Sequence, residues 1–95
     1  MSVLFNKILT VCTGNICRSP AAQYILQQRL AQINGWQGTV RSAGVGAQVN
    51  HPADETTLRM MQAQGVDLAA HRAAQLTPEH LRWADLVVVM EEHHR

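Results

Sequence analysis

The two cysteines of this 95-residue chain and an arginine fall together in the stretch V-C-T-G-N-I-C-R-S-P, Val11 to Pro20. Five residues, Thr13, Gly14, Asn15, Ile16 and Cys17, separate the thiol of Cys12 from the guanidinium of Arg18. Gly14 and Asn15 both tolerate positive φ, so the segment can turn successive amides toward one point. A tight loop of that kind leading into a helix N-terminus makes an anion site. Arg18 adds a planar fork suited to two phosphate oxygens. Such a field favours the thiolate form of Cys12. A thiolate on the floor of an oxyanion cradle is placed to attack phosphorus while Arg18 and the amides hold the equatorial oxygens. Ser19 is close enough in sequence to donate a hydrogen bond to Cys12 and to help the thiolate leave in a second step.

Simpler readings of the same residues stay open at this point. A free cysteine at a strand end is often inert packing. Cys12 and Cys17 also form a C-x4-C pair, although no companion pair exists to complete a metal site. G-x-x-x-x-G-K-[ST] and G-x-G-x-x-G are both absent, which excludes the common nucleotide loops. His51, His71, His80, His93 and His94 show no ligand spacing with Asp, Glu or Cys and read as solvated or structural. Neither a metal nor a cofactor is expected.

The elements that must carry this loop can be read from patterning. Lys7 to Cys12 is a short apolar run expected as a buried strand. Pro20 marks the expected start of a helix, with Ala22, Ile25, Leu26, Leu30 and Ile33 at helical spacing and Asn34-Gly35 as its stop. Thr39 to Ala43 reads as a second strand. Gly44, Gly46, Asn50 and Pro52 mark a loop, and Asp54 caps a second helix with Leu58, Met61 and, as a weaker candidate, Met60 facing inward and closed by Gly65. Thr77-Pro78 opens a third helix. Ala84 to Met90 is an unalternating apolar strand, the pattern of one covered on both faces. Strand–helix–strand–helix–helix–strand gives an α/β fold with a doubly wound parallel sheet, and residues 1–95 are read as one domain. Trp36 and Trp83 fall beside turns and read as partial core. Glu91-Glu92 reads as the solvated start of a further helix.

Composition narrows the function classes. The formal net charge is +1 with scattered basic residues, which gives no case for nucleic acid. No apolar run approaches a membrane span. The N-terminus lacks a signal-peptide pattern. Two cysteines make no disulfide framework, so a reducing cytoplasmic location is expected.

V-C-T-G-N-I-C-R-S-P resembles the signature of the low-molecular-weight protein tyrosine phosphatases, in particular their bacterial branch. Ser42-Ala43-Gly44, His51-Pro52-Ala53-Asp54, His71 to Leu76 and Ala84 to Met90 extend the likeness over essentially the whole chain. The resemblance implies a phosphotyrosine phosphatase I-like sheet, here lacking the last strand and helix. It implies Cys12 as nucleophile, Arg18 as the phosphate and transition-state ligand, Asn15 as the holder of the loop shape and Ser19 as the thiolate's partner. Cys17 resembles the loop cysteine that forms a reversible disulfide with the nucleophile. Phosphotyrosine proteins are the implied substrates, including bacterial tyrosine kinases of exopolysaccharide export.

The chain departs from the family pattern at two places. The general-acid Asp of an Asp-Pro-aromatic loop is absent, since no Asp-Pro occurs in the sequence. Asp54 is expected to cap a helix, while Asp67 and Asp85 are expected at the far end of the sheet, so none serves as the acid. Gln48 or Val49 stands where many relatives carry an aromatic beside the phosphotyrosine slot. Impaired turnover is therefore expected. A non-catalytic phosphate or phosphopeptide binder is one alternative. An arsenate reductase is a weaker one, because no cysteine follows Cys17 in these residues. The exposed strand Asp85–Met90 is expected to favour self-association.

Overall fold

The computed structural model describes residues 6–33 and 35–90. Its elements are β1 (Lys7–Cys12), α1 (Arg18–Leu30), β2 (Thr39–Gly44), α2 (Glu55–Ala63), α3 (Pro78–Trp83) and β3 (Leu86–Val89). The three strands form one parallel sheet in the order β2-β1-β3, with Cys12 aligned on Gly44 and Val11 on Val89. This is the expected doubly wound arrangement, because helices cover both faces of β1.

The covering follows from the two-residue alternation of a strand. Ile8 points to one face and packs with Val40, Trp36, Leu26 and Leu30. Leu9 and Val11 point to the other, against Ala43, Leu76, Trp83 and Ala84. Thr10 is fully buried between these neighbours, and its hydroxyl donates to Ser19 O at 2.8 Å, so the first turn of α1 is tied to the middle of β1. A third cluster, Ala53, Met61, Val66 and Leu68, sits between α2 and the Ala21, Tyr24 and Ile25 side of α1.

Two boundaries differ from the sequence reading. α1 begins at Arg18, two residues before Pro20. The first four N–H groups of a helix have no internal acceptor, so a proline at the third position costs no hydrogen bond. The helix also ends earlier, at Leu30, and continues as i→i−3 turns through Gln32 and Ile33. Asn34 lies outside the described residues, while Gly35 takes φ 89°. Asp54 caps α2 as expected, accepting from Thr57 N at 3.2 Å, and α3 starts at Pro78.

β3 overturns one expectation and meets another. Its unalternating run suggested cover on both faces, yet Leu86, Val87 and Val89 are 36%, 37% and 67% exposed, in keeping with the expected exposure of Asp85–Met90. β3 is the sheet edge and pairs only with β1 among the described residues. Trp36 is more buried than expected at 7% exposure, and Trp83 carries the guanidinium of Arg41 over its ring at 4.7 Å. The reading of Glu91-Glu92, and His93 and His94 with it, falls outside the described residues. No described helix is long and apolar enough to cross a membrane.

Candidate active site

β1 ends at Cys12 and α1 begins at Arg18, so the residues of the motif form the strand–helix connection at the carboxyl end of the central strand. That is where open parallel sheets bind ligands. Six consecutive carbonyls of this connection accept hydrogen bonds from groups outside it. Cys12 O accepts from Val45 N at 3.0 Å, Thr13 O from Gly46 N at 2.9 Å and Gly14 O from Gln48 N at 3.1 Å. Asn15 O accepts from His71 Nε2 at 2.7 Å. Ile16 O accepts from Asp54 N at 2.7 Å and Cys17 O from Ala21 N at 3.2 Å.

A trans peptide points its C=O and the following N–H in opposite directions. Carbonyls tied outward therefore turn the amides of Thr13 through Arg18 inward. One of these contacts is explicit: Asn15 N donates to Cys12 Sγ at 3.3 Å. The amides of Thr13, Gly14 and Ile16 have no acceptor among the described residues. The result is a concave nest of N–H groups around the Cys12 sulfur.

Asn15 fixes the shape of the nest. It adopts φ 59°, the left-handed region that Asn tolerates better than most residues, and it is fully buried. Its Oδ1 accepts from Ala74 N at 2.8 Å, which orients the amide so that Nδ2 donates to Ser19 Oγ at 2.8 Å. Ser19 Oγ, with one lone pair thus engaged, lies 2.9 Å from Cys12 Sγ and donates its proton to the sulfur when that is a thiolate. The chain of donors runs Ala74, Asn15, Ser19, Cys12, and every member is held by the next.

His71 completes the brace and was not recognised from sequence, where it read as solvated or merely structural. A carbonyl can only accept, so His71 Nε2 carries the proton toward Asn15 O. Burial holds this imidazole below the usual histidine value; the bond to Asn15 pulls the other way and Arg72 adds to the lowering. Gly44 is the other missed residue. A Cβ there would lie 2.5 Å from Thr13 O and 3.0 Å from Asn15 N, so β2 approaches the nest closely only because position 44 has no side chain.

The remaining motif residues fall as follows. Thr13 and Arg18 are exposed, Gly14, Ile16 and Cys17 are half-buried, and Cys12 and Cys17 are both free thiols. Arg18 is the first residue of α1, on the rim of the nest. Gln48 sits beside Gly14, its Nε2 lying 3.6 Å from where a Cβ on that glycine would be, and Val49 is exposed nearby. Asp85 accepts from the backbone N of Asn6 and Lys7 at the start of β1, the end opposite Cys12. Asp54 is occupied as a cap, and Asp67 closes a turn onto Ala69 N. Among the described residues no three His, Cys, Asp or Glu side chains converge to hold a metal ion.

A strand–nest–helix unit with a thiol at its centre and a donor relay beneath it has the form of an anion-binding loop. Residues 7–95 match the family described as low molecular weight phosphotyrosine protein phosphatase, and the chain belongs to it. It is 46% identical over 90 residues to the low molecular weight protein-tyrosine-phosphatase Etp of Escherichia coli K12, covering 95% of this chain and 57% of that protein. The structure is similar to the tyrosine phosphatase Wzb from Escherichia coli K30 in complex with sulphate, with TM-score 0.83, 42% identity and coverage of 93% of this chain and 58% of that one. It is also similar to the YwlE arginine phosphatase from Geobacillus stearothermophilus, with TM-score 0.79 and 40% identity over 90% of this chain and 52% of that one. The chain thus spans little more than half the length of these relatives.

Proposed function

We propose that this chain carries the catalytic nest of a phosphotyrosine protein phosphatase that works through a cysteinyl-phosphate. The observation that supports this most is the set of outward-tied carbonyls from Cys12 to Cys17, which leaves a ring of amides around a nucleophilic sulfur. In the first step Cys12 Sγ attacks phosphorus, the S–P bond forms and the P–O bond to the phenol breaks. The amides of the nest and Arg18 take the equatorial oxygens and stabilise the charge that develops on them. In the second step water attacks the same phosphorus, the S–P bond breaks and phosphate leaves. The hydroxyl of Ser19 stabilises the departing thiolate. Thr13, Gly14, Ile16 and Cys17 serve through their backbone, and Asn15 through its shape-holding bonds.

No Asp in these residues is free to protonate the leaving phenol, so turnover depends on how good that leaving group is. Lacking a general acid costs about 10²–10⁴-fold in rate, little for p-nitrophenol and much for tyrosine. The substrates are phosphotyrosine proteins, with a bacterial tyrosine kinase the leading class, met in the cytoplasm. The test is rapid-mix kinetics with p-nitrophenyl phosphate on the 95-residue chain beside Cys12→Ser. Release of p-nitrophenol that requires Cys12 is expected. No release from a folded chain would leave only the phosphate-binder reading. Phosphoarginine, the class named for one neighbour, is the comparison substrate, and faster turnover on it than on phosphotyrosine would redirect the assignment.

Cys17 acts as a redox partner. Peroxide oxidises Cys12 to a sulfenic acid with loss of water, and the Cys17 thiol displaces a second water to give the disulfide. Mass spectrometry after peroxide should show the loss of two hydrogens in the wild type and none in Cys17→Ser. A sulfinic acid in both would remove Cys17 from this role.

A further inference from the structure

A second basic site lies outside the nest. An open cleft of about 220 Å³ wraps the outer edge of β2, between α1, the segment 71–74 and α3. Its basic walls are the guanidinium groups of Arg41 from β2 and Arg72, with the imidazoles of His71 and His80 beside them; no carboxylate lines it. None of the residues from Cys12 to Ser19 takes part.

The hydrogen-bond inventory of these walls is one-sided. Arg41 is held by stacking over Trp83 rather than by an acid. Arg72 is pinned through Nη1, which donates to Ala69 O at 3.2 Å and His71 O at 2.6 Å, and this leaves its other N–H groups uncommitted. Neither cleft arginine makes an ion pair with a carboxylate among the described residues. Gln23 accepts from Ser42 Oγ at 2.6 Å through its Oε1, and its NH2 remains as a donor. His80 Nδ1 accepts from Thr77 N at 3.1 Å, which places the proton of the neutral ring on Nε2. His71 spends Nε2 on Asn15 O. Its Nδ1 has no protein partner, and since no buried side-chain nitrogen is left unsatisfied, that atom meets solvent. On protonation it too becomes a donor.

Two fixed guanidinium forks, an amide NH2 and an imidazole N–H therefore surround a space with no acidic competitor on its walls. Preorganised charged donors of this kind select planar or tetrahedral oxyanions. We propose that the β2-edge cleft is a second oxyanion site, holding a phosphate-class dianion between Arg41 and Arg72 with Gln23 and His80 as supporting donors. The site is separate from the catalytic nest but shares a wall with it, because His71 and Ala74 both hold Asn15. Bound charge would act on both imidazoles. His80 is lowered by burial first and by Arg41, with Glu79 raising it. His71 is lowered by burial and Arg72. A dianion offsets the two arginines, so both rings take up protons more readily when the cleft is filled.

The test uses Arg18→Ala, which removes the catalytic arginine and its phosphate affinity, at fixed ionic strength set with chloride. Inorganic phosphate and glycerol 3-phosphate are titrated separately while the His71 and His80 ring resonances and the arginine Nε–H signals are followed by NMR. Saturable shifts with both probes, and histidine titrations moved to higher pH, are the expected result. Saturation by inorganic phosphate alone would assign the cleft to the free anion, and saturation by both to a phosphate head in general. Adding Arg41→Gln and Arg72→Gln should weaken binding about tenfold or more. If the pair disturbs folding, Arg72→Gln alone decides, because that guanidinium bonds only the backbone carbonyls of Ala69 and His71. Shifts that vanish with Arg18→Ala, that never saturate, or that survive the loss of Arg72 unchanged would overturn the proposal.

Discussion

Asn15 makes four contacts, using its backbone N–H, backbone carbonyl and both ends of its amide. Asp could not donate to Ser19, Gln would overreach, and either would lose some of the ease with which Asn takes φ 59°. The position is therefore demanding in a way that its sequence neighbours are not. His71, which anchors it, donates through Nε2 whether its ring is neutral or charged, while its burial favours the neutral ring. Both His71 and His80 are lowered from 6.5, with burial the largest cause. The folded state then binds protons less tightly than the unfolded chain. The stability these rings contribute is fully present above about pH 6.5 and is lost as the pH falls through their folded-state values. Urea midpoints should drop between about pH 7.5 and about pH 5.5, before carboxylates titrate appreciably. His71→Gln should flatten that slope; an equal slope in the variant would sink this account.

At the scale of elements, the nest is a short loop built by its neighbours. β1 and α1 supply its ends, and the loop after β2 and the segment 71–76 tie its carbonyls. Gly44 is where β2 meets it, and the added methyl of Gly44→Ala would press on backbone atoms of Thr13 and Asn15 that cannot swing aside. The clash should destabilise the fold by about 1–3 kcal/mol, and displaced nest amides should cut turnover of p-nitrophenyl phosphate at least about tenfold. Thermal unfolding and steady-state kinetics on the same sample check both. A variant that melts lower but turns over normally would show that the nest tolerates the displacement.

At the scale of the molecule, one edge of the sheet is guarded and the other is not. The carboxyl end of β2 is bridged to Gln75 through Gly44, and α1 and α3 flank the strand. β3 offers an apolar outer edge with Val89 67% exposed. Open apolar edges pair with one another. We predict concentration-dependent association of the 95-residue chain in light scattering, relieved by Val89→Lys. A monodisperse monomer at high concentration would refute it.

The sequence by itself determined what is local. Cys12 to Ser19 is one contiguous segment joining a strand-like to a helix-like run, so the thiol, the guanidinium and the serine had to lie at one strand–helix junction. The Asp54 and Thr77-Pro78 helix starts were equally legible, because a cap and the N–H that donates to it are only about three residues apart. Tertiary structure decided everything that depends on pairing across long separations. His71 reaches Asn15 over 56 positions and Ala74 over 59, and a lone histidine or alanine carries no local mark of such a bond. The place of β3 was half legible: its apolar run reads alike at the centre or the edge of a sheet, the family resemblance pointed to exposure, and strand order puts it at the edge among the described residues.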